Sequence, residues 1–272
     1  MLFIVFTYGA MMNEIDLSDM RAFAEQLADV ARKTGRQYFR TGLSVSVKSD
    51  RSPVTEADKE IERQVREAIR ERYPDHAFFG EESGGTMPDG PTWVVDPIDG
   101  TKSFICGVPL FGSLIAFLMA RRPVIGVLEM PALGERWVGA EGRTVCNGAP
   151  ARVSDCKSLT EARLFSTSPD MFVGEFADAF ARISDQAGLR RFGTDCYAYG
   201  LLASGHCDLV VESGLKPYDV MALVPIIENA GGVVSDWRGQ PVDTGFTGQI
   251  VAAATRQLHD KALAVLRATS SA

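Results

Sequence analysis

Histidine and paired cysteine, the usual makings of a transition-metal site, are scarce in this chain. It has three histidines, none in metal-ligand spacing with a cysteine, and its five cysteines (Cys106, Cys146, Cys156, Cys196, Cys207) form no C-x-x-C pair. That argues against a zinc site. Scattered cysteines, odd in number, read as free buried thiols in a reducing cytosol, not as a disulfide framework. No basic run is present, and the net charge of −7 argues against a broad nucleic-acid footprint. The apolar start, Leu2 to Phe6, is too short for a membrane span and has no positive leader. No membrane or targeting segment is therefore expected, and a cytoplasmic location follows. Residues 1–12 read as an N-terminal extension, since Met11 or Met12 would serve equally as a start. No low-complexity linker or internal repeat divides the rest.

What is present describes an ordinary globular protein. Hydrophobic residues make up 46% and charged residues 23%, and 272 residues allow one large domain or two. The informative stretch is Trp93 to Phe104, W-V-V-D-P-I-D-G-T-K-S-F. Trp93, Val94 and Val95 read as the end of a buried strand, stopped at Asp96 because Pro97 cannot continue a ladder. Asp96 and Asp99 then flank a turn, Gly100 supplies backbone freedom, and Thr101-Lys102-Ser103 can open a helix whose first N–H groups suit a phosphate. Acidic oxygens converging beside an anion-binding turn call for cations between them. Oxygen-only ligands imply a hard metal, with Mg²⁺ the default beside a phosphate. Asp-Pro and Asp-Gly are also common turn dipeptides, so the pattern alone is compatible with a plain turn. A P-loop is excluded because Lys102-Ser103 lacks the required glycine spacing. A D-x-D nucleophile is excluded because the aspartates are three apart.

Along the chain, Leu17 to Phe39 has helical apolar spacing and ends towards Gly42, and Val45 to Ser52 alternates like a mobile hairpin. Thr55-Glu56-Ala57-Asp58 resembles a capping box opening a helix through Arg72, which makes Asp58 a first-turn acid favoured by the helix dipole. Glu81-Glu82 follow an apolar strand and precede glycines, at a strand end or a surface turn. Strands at 111–119, 124–128 and 136–140 make residues 13–150 a strand-rich α+β half with an antiparallel sheet. Residues 151–272 alternate strands with helices at 171–186, 196–204, 218–230 and 257–268, an α/β half with a parallel-type sheet covered on both faces. Asp219 opens the helix that Gly231-Gly232 closes, where an acid is commonly a cap. Asp195, in Gly193-Thr194-Asp195 between strand and helix, is a cap or a cation ligand.

Glu81-Glu82, Asp96-Pro97-Ile98-Asp99-Gly100-Thr101, and Asp219 before a helix ending Gly231-Gly232 occur in that order. Together they resemble the inositol monophosphatase family of Mg²⁺-dependent phosphatases, over nearly the whole chain from about Met12 onward. The resemblance implies an α/β fold with an α+β N-terminal half. This is the layered α-β-α-β-α sandwich of the inositol monophosphatase and fructose-1,6-bisphosphatase type, as a homodimer. It implies two or three Mg²⁺ per site, one held by Glu81, Asp96 and the Ile98 carbonyl, and a second by Asp96, Asp99 and Asp219. The amides of Gly100 and Thr101 would receive the phosphate, and Asp58, paired with the Thr101 hydroxyl, would orient the attacking water, making Asp58, Thr101 and Glu81 the catalytic residues. Gly193, Thr194, Asp195 and Glu212 fall at substrate-contacting positions, and Lys48 in a loop that closes over the site. Phosphate-monoester hydrolysis is among the slowest uncatalysed reactions, and paired cations address its charge repulsion without a covalent intermediate.

Lys216-Pro217-Tyr218-Asp219, Lys102-Ser103-Phe104, Thr194 to Tyr199 and Val220 to Pro225 resemble the histidinol-phosphate phosphatases within this family. Histidinol phosphate carries an ammonium and an imidazole, which extra acids beside the metals would favour over a neutral polyol. Asp195 carries more of that discrimination than Glu212, which inositol-specific relatives share. An inositol-1-phosphatase, or another sugar- or nucleotide-phosphatase of the family, is the alternative. A non-enzymatic partner of transcription or RNA machinery is a remote one, opposed by the intact acidic set and the negative charge.

Overall fold

The computed structural model describes residues 16–42, 45–47 and 53–268. Lys48 and the tip of the expected hairpin lie outside the described residues. The hairpin's arms are β1 (Val45–Val47) and β2 (Pro53–Thr55), paired antiparallel.

Two helices cover one outer face. In α1 (Leu17–Tyr38) the buried Met20, Phe23, Ala24, Leu27, Ala28 and Ala31 recur every three to four residues, and Asp16 caps the start by accepting from the Ser18 amide. The helix stops at Tyr38, short of Gly42, because Phe39 turns extended. In α2 (Glu56–Arg72) the Thr55 capping box is present as expected, and Ile61, Val65 and Ile69 face inward.

Both helices lie on an eight-stranded sheet. Its strands are β3 (Ala77–Gly80), β4 (Gly84–Gly85), β5 (Thr92–Asp99), β6 (Gly112–Met119), β7 (Arg122–Met130), β8 (Glu135–Ala140), β9 (Arg143–Cys146) and β10 (Ala149–Pro150), in the order β10-β9-β8-β7-β6-β5-β3-β4. All neighbours run antiparallel except β3 and β5. Period-two alternation divides the faces. Ile115, Phe117 and Met119 pack under α1 and α2, whereas Leu114, Ala116 and Leu118 face the middle of the molecule. Pro97 does not end β5, contrary to expectation. The pairing skips from Asp96 to Asp99, so the proline sits in a bulge where its missing N–H costs no ladder bond. The helix α3 (Thr101–Ile105) follows directly.

The second sheet holds β11 (Arg163–Ser166), β12 (Leu189–Phe192), β13 (Leu209–Glu212), β14 (Val233–Ser235) and β15 (Ile250–Ala253), in the order β12-β11-β13-β15-β14. β11 is parallel to β12 and β13, but β15 runs antiparallel to β13 and β14, so the sheet is mixed, not wholly parallel. Between the sheets lie α5 (Tyr197–Ala203), α6 (Pro217–Val220) and α7 (Leu223–Asn229); outside lie α4 (Glu175–Gln186) and α8 (Arg256–Arg267). The layers are thus α-β-α-β-α, as expected.

Two helix expectations change. α4 begins at Glu175 after a 3₁₀ turn at Pro169–Met171, later than Met171. The helix expected over 218–230 is two pieces, α6 and α7. Pro225 has no N–H to give the Met221 carbonyl, so the hydrogen-bond ladder breaks there although Met221 and Ala222 keep αR dihedrals. The α7 segment lies almost on the sheet backbone: a Cβ on Gly126 would stand 1.8 Å from the Ala222 carbonyl oxygen, and one on Gly139 2.4 Å from the Ile226 Cα.

Candidate active site

Four segments converge where the layers meet: the start of α2, the β3–β4 turn, the end of β5 and the start of α6. Asp96, Asp99 and Asp219 each offer a carboxylate oxygen, all within 4.8 Å of one another, and Asp58, Glu81 and Glu82 form a second such group.

Local backbone fixes each acid. Asp96 accepts from the Ile98 amide at 3.0 Å within the bulge, and the Ser113 hydroxyl donates to the Pro97 carbonyl at 2.6 Å. Asp99 accepts from the Cys196 amide at 2.6 Å, which ties β5 to the approach of α5. Asp219 accepts from the Lys216 amide at 2.6 Å, as the third-residue acid of a capping box does. Asp58 accepts from the amide and hydroxyl of Thr55 through one oxygen, while its other oxygen, Oδ1, is buried with no hydrogen-bond partner.

Electrostatics run against this crowding. Burial first, then the charges of Glu81, Asp99 and Asp219, push Asp96 well above the usual carboxylate range. Asp99 is pushed likewise by burial and then by Asp195 and Asp219. Burial outweighs the Lys216 amide and lifts Asp219 to about 7. For Asp58, burial overrides the Thr55 hydrogen bonds and, with the Glu81 charge, raises it to about 6. Among the described residues, none of these four aspartates pairs with a lysine, arginine or histidine. Buried and half-buried carboxylates repelling one another, one with a spare buried oxygen, fit hard divalent cations.

Gly100 begins α3 at φ +82°, where a Cβ would meet the Leu110 carbonyl at 3.0 Å and the Asp195 carboxyl at 3.2 Å. Only glycine fits this turn, which leaves the first amides of α3 outside the helical ladder. The Thr101 hydroxyl donates to the Ile98 carbonyl at 3.1 Å, so the expected pairing with Asp58 is not formed. Asp195, at φ +45°, accepts from the Ser103 hydroxyl at 3.0 Å, and burial raises its pKa against that bond and the Lys102 charge. Gly193 donates to the Thr167 carbonyl at 2.9 Å, and the Thr194 hydroxyl is buried without a hydrogen-bond partner. Glu212 is 2% exposed and accepts from the Thr167 amide, the Thr167 hydroxyl and the Tyr199 hydroxyl.

Thr167 and Glu62 support this site although the sequence reading does not single them out, and Tyr199 enters it only as the end of the Thr194 to Tyr199 stretch. The signal for Glu62 was its place four residues after Asp58, inside the buried stripe of α2. Of the five cysteines only Cys196 and Cys207 are buried; Cys106 is exposed, and all are free.

The inositol monophosphatase family model matches residues 16–271. The chloroplastic bifunctional phosphatase IMPL2 of Arabidopsis thaliana is 43% identical over 265 residues, covering 93% of this chain and 76% of that protein. A histidinol-phosphatase of Chlorobaculum parvum is 38% identical over 221 residues, covering 80% of this chain and 85% of its own length. Among solved structures, an inositol monophosphatase from Zymomonas mobilis has a TM-score of 0.85 at 41% identity, over 93% of this chain and 100% of that one. A match of this extent makes the chain a member of the inositol monophosphatase family of metal-dependent phosphatases.

Proposed function

We propose that this chain hydrolyses histidinol phosphate to histidinol and phosphate, using Mg²⁺, as a cytoplasmic homodimer. The observation that carries the phosphatase reading is the convergence of Asp96, Asp99 and Asp219 within 4.8 Å, beside the Gly100 turn. In this reading Glu81, Asp96 and the Ile98 carbonyl hold one cation, and Asp96, Asp99 and Asp219 another. Bound there, divalent cations would offset the phosphate's charge and lower the pKa of a water. The amides of Gly100 and Thr101 receive a phosphate oxygen, as helix starts do. Asp58, whose Oδ1 is buried with no hydrogen-bond partner, orients the water. Turning the Thr101 hydroxyl from Ile98 to Asp58 frees the carbonyl that this scheme assigns to a cation.

The finer reading rests on Asp195, an acid held by Ser103 beside the phosphate turn, where it can meet a substrate ammonium or imidazolium. Gly193 and Thr194 shape that wall, and Glu212, held by Thr167 and Tyr199, lends it negative charge. The names of the Arabidopsis and Chlorobaculum relatives support a histidinol-phosphate or bifunctional role; the Zymomonas structure supports inositol phosphate instead. Phosphate release from histidinol phosphate and inositol 1-phosphate, for wild type and Asp195→Asn, separates them. A lost contact to a charged group costs about 1.5–3 kcal/mol, so kcat/KM for histidinol phosphate should fall roughly 10–100-fold and that for inositol 1-phosphate much less. Wild-type preference for inositol 1-phosphate would replace the assignment.

A further inference from the structure

The connection from β3 to β4 is a three-residue turn, Glu81 to Ser83, between strand ends Gly80 and Gly84 that pair with each other. Its backbone is held from two sides. The Glu81 amide donates to the Val95 carbonyl at 3.1 Å, which fixes the turn to β5. The Glu82 and Ser83 amides donate to the two carboxylate oxygens of Glu62, each at 2.8 Å. Glu62 is 3% exposed and comes from α2, one helical turn after Asp58. It reaches the turn only because position 80 is glycine: a Cβ there would stand 2.5 Å from the Glu62 carboxyl. One buried side chain thus satisfies two consecutive amides of the segment that carries Glu81, and the same helix carries Asp58.

We infer that Glu62 is a positioning residue, holding the Glu81–Ser83 turn so that Glu81 is set at the cation cluster. This rests on the metal-dependent phosphatase reading and extends it to a residue that touches neither cation nor substrate. A carboxylate is the one side chain suited to the task, since it accepts through both oxygens, whereas Gln would turn an NH₂ towards one of the amides. Supporting groups behind metal ligands are worth roughly 10–100-fold in affinity.

The test uses Mn²⁺ as probe, its binding to the full chain followed by electron paramagnetic resonance without substrate, beside melting in chelator and amide hydrogen exchange. Glu62→Asp keeps the charge but withdraws the carboxylate by about 1.5 Å; Glu62→Gln keeps the length. Both should bind Mn²⁺ roughly 10–100-fold more weakly and exchange the Glu82 and Ser83 amides faster, while Glu71→Gln, exposed on the same helix, behaves as wild type. A folded Glu62→Asp with wild-type Mn²⁺ affinity would overturn the inference. So would rapid exchange of the Glu82 and Ser83 amides in the wild-type protein, a result that needs no variant to fold. If wild type itself bound no Mn²⁺, the phosphatase reading would fall and this inference with it, whereas failure confined to Glu62 leaves that reading standing.

Discussion

At the scale of the residue, the aspartates of the site are held in a state that costs stability without cations. Asp58 and Asp219 have folded-state pKa values of about 6 and about 7, above the ordinary 3.8. Across that window the folded chain binds more protons than the unfolded one, so stability is greatest at the acid end and is lost as pH rises through it. Asp96 and Asp99 shift in the same direction. Melting in chelator should therefore give a lower midpoint at about pH 7.5 than at about pH 5.5, all else equal, and saturating Mg²⁺ should raise the midpoint more at the higher pH, because cations compete with protons for the same oxygens. A Mg²⁺ effect that grew as pH fell would contradict the cation reading of these acids.

At the scale of the element, the site depends on how closely α6 and α7 lie on the sheet. Gly126 lets the Ala222 carbonyl approach where a side chain would stand 1.8 Å away. Gly126→Ala should cost about 1–3 kcal/mol or more by overpacking. Because Asp219 sits at the start of α6, it should also weaken Mg²⁺ activation; urea melts and Mg²⁺ titrations check both. Local chemistry made several elements legible: the Thr55 capping box gave α2 its start, and an unbroken apolar run marked β6 as a long buried strand. It failed where a local rule had a tertiary answer. Pro97 reads as a strand end until the bulge opposite β6 is seen, and Pro225 splits a helix whose apolar pattern is continuous. The site was less legible still. Asp58 and Asp219 look like first-turn acids and act as such, each the third residue of its helix reaching back to the amide of the N-cap residue, Thr55 or Lys216. Nothing in their local sequence says that Asp58 lies beside Glu81 or Asp219 beside Asp96; only the family resemblance pointed there.

At the scale of the whole molecule, five layers bring together acids spread from Asp58 to Asp219, in a chain whose net charge is already −7. Such a concentration of buried and half-buried carboxylates is costly unless bound cations offset it. In the proposed function, divalent cations bound there would supply that offset and serve phosphomonoester hydrolysis. The most direct measurement is phosphate release from histidinol phosphate across a Mg²⁺ titration, for wild type and for Asp96→Asn. Expected of this function are no release in chelator, saturable activation by Mg²⁺, and a loss of about 10²–10³-fold or more in Asp96→Asn despite an intact fold and a chelator melting midpoint no lower than wild type. Release that persists in chelator, or an Asp96→Asn protein as active as wild type, would contradict it.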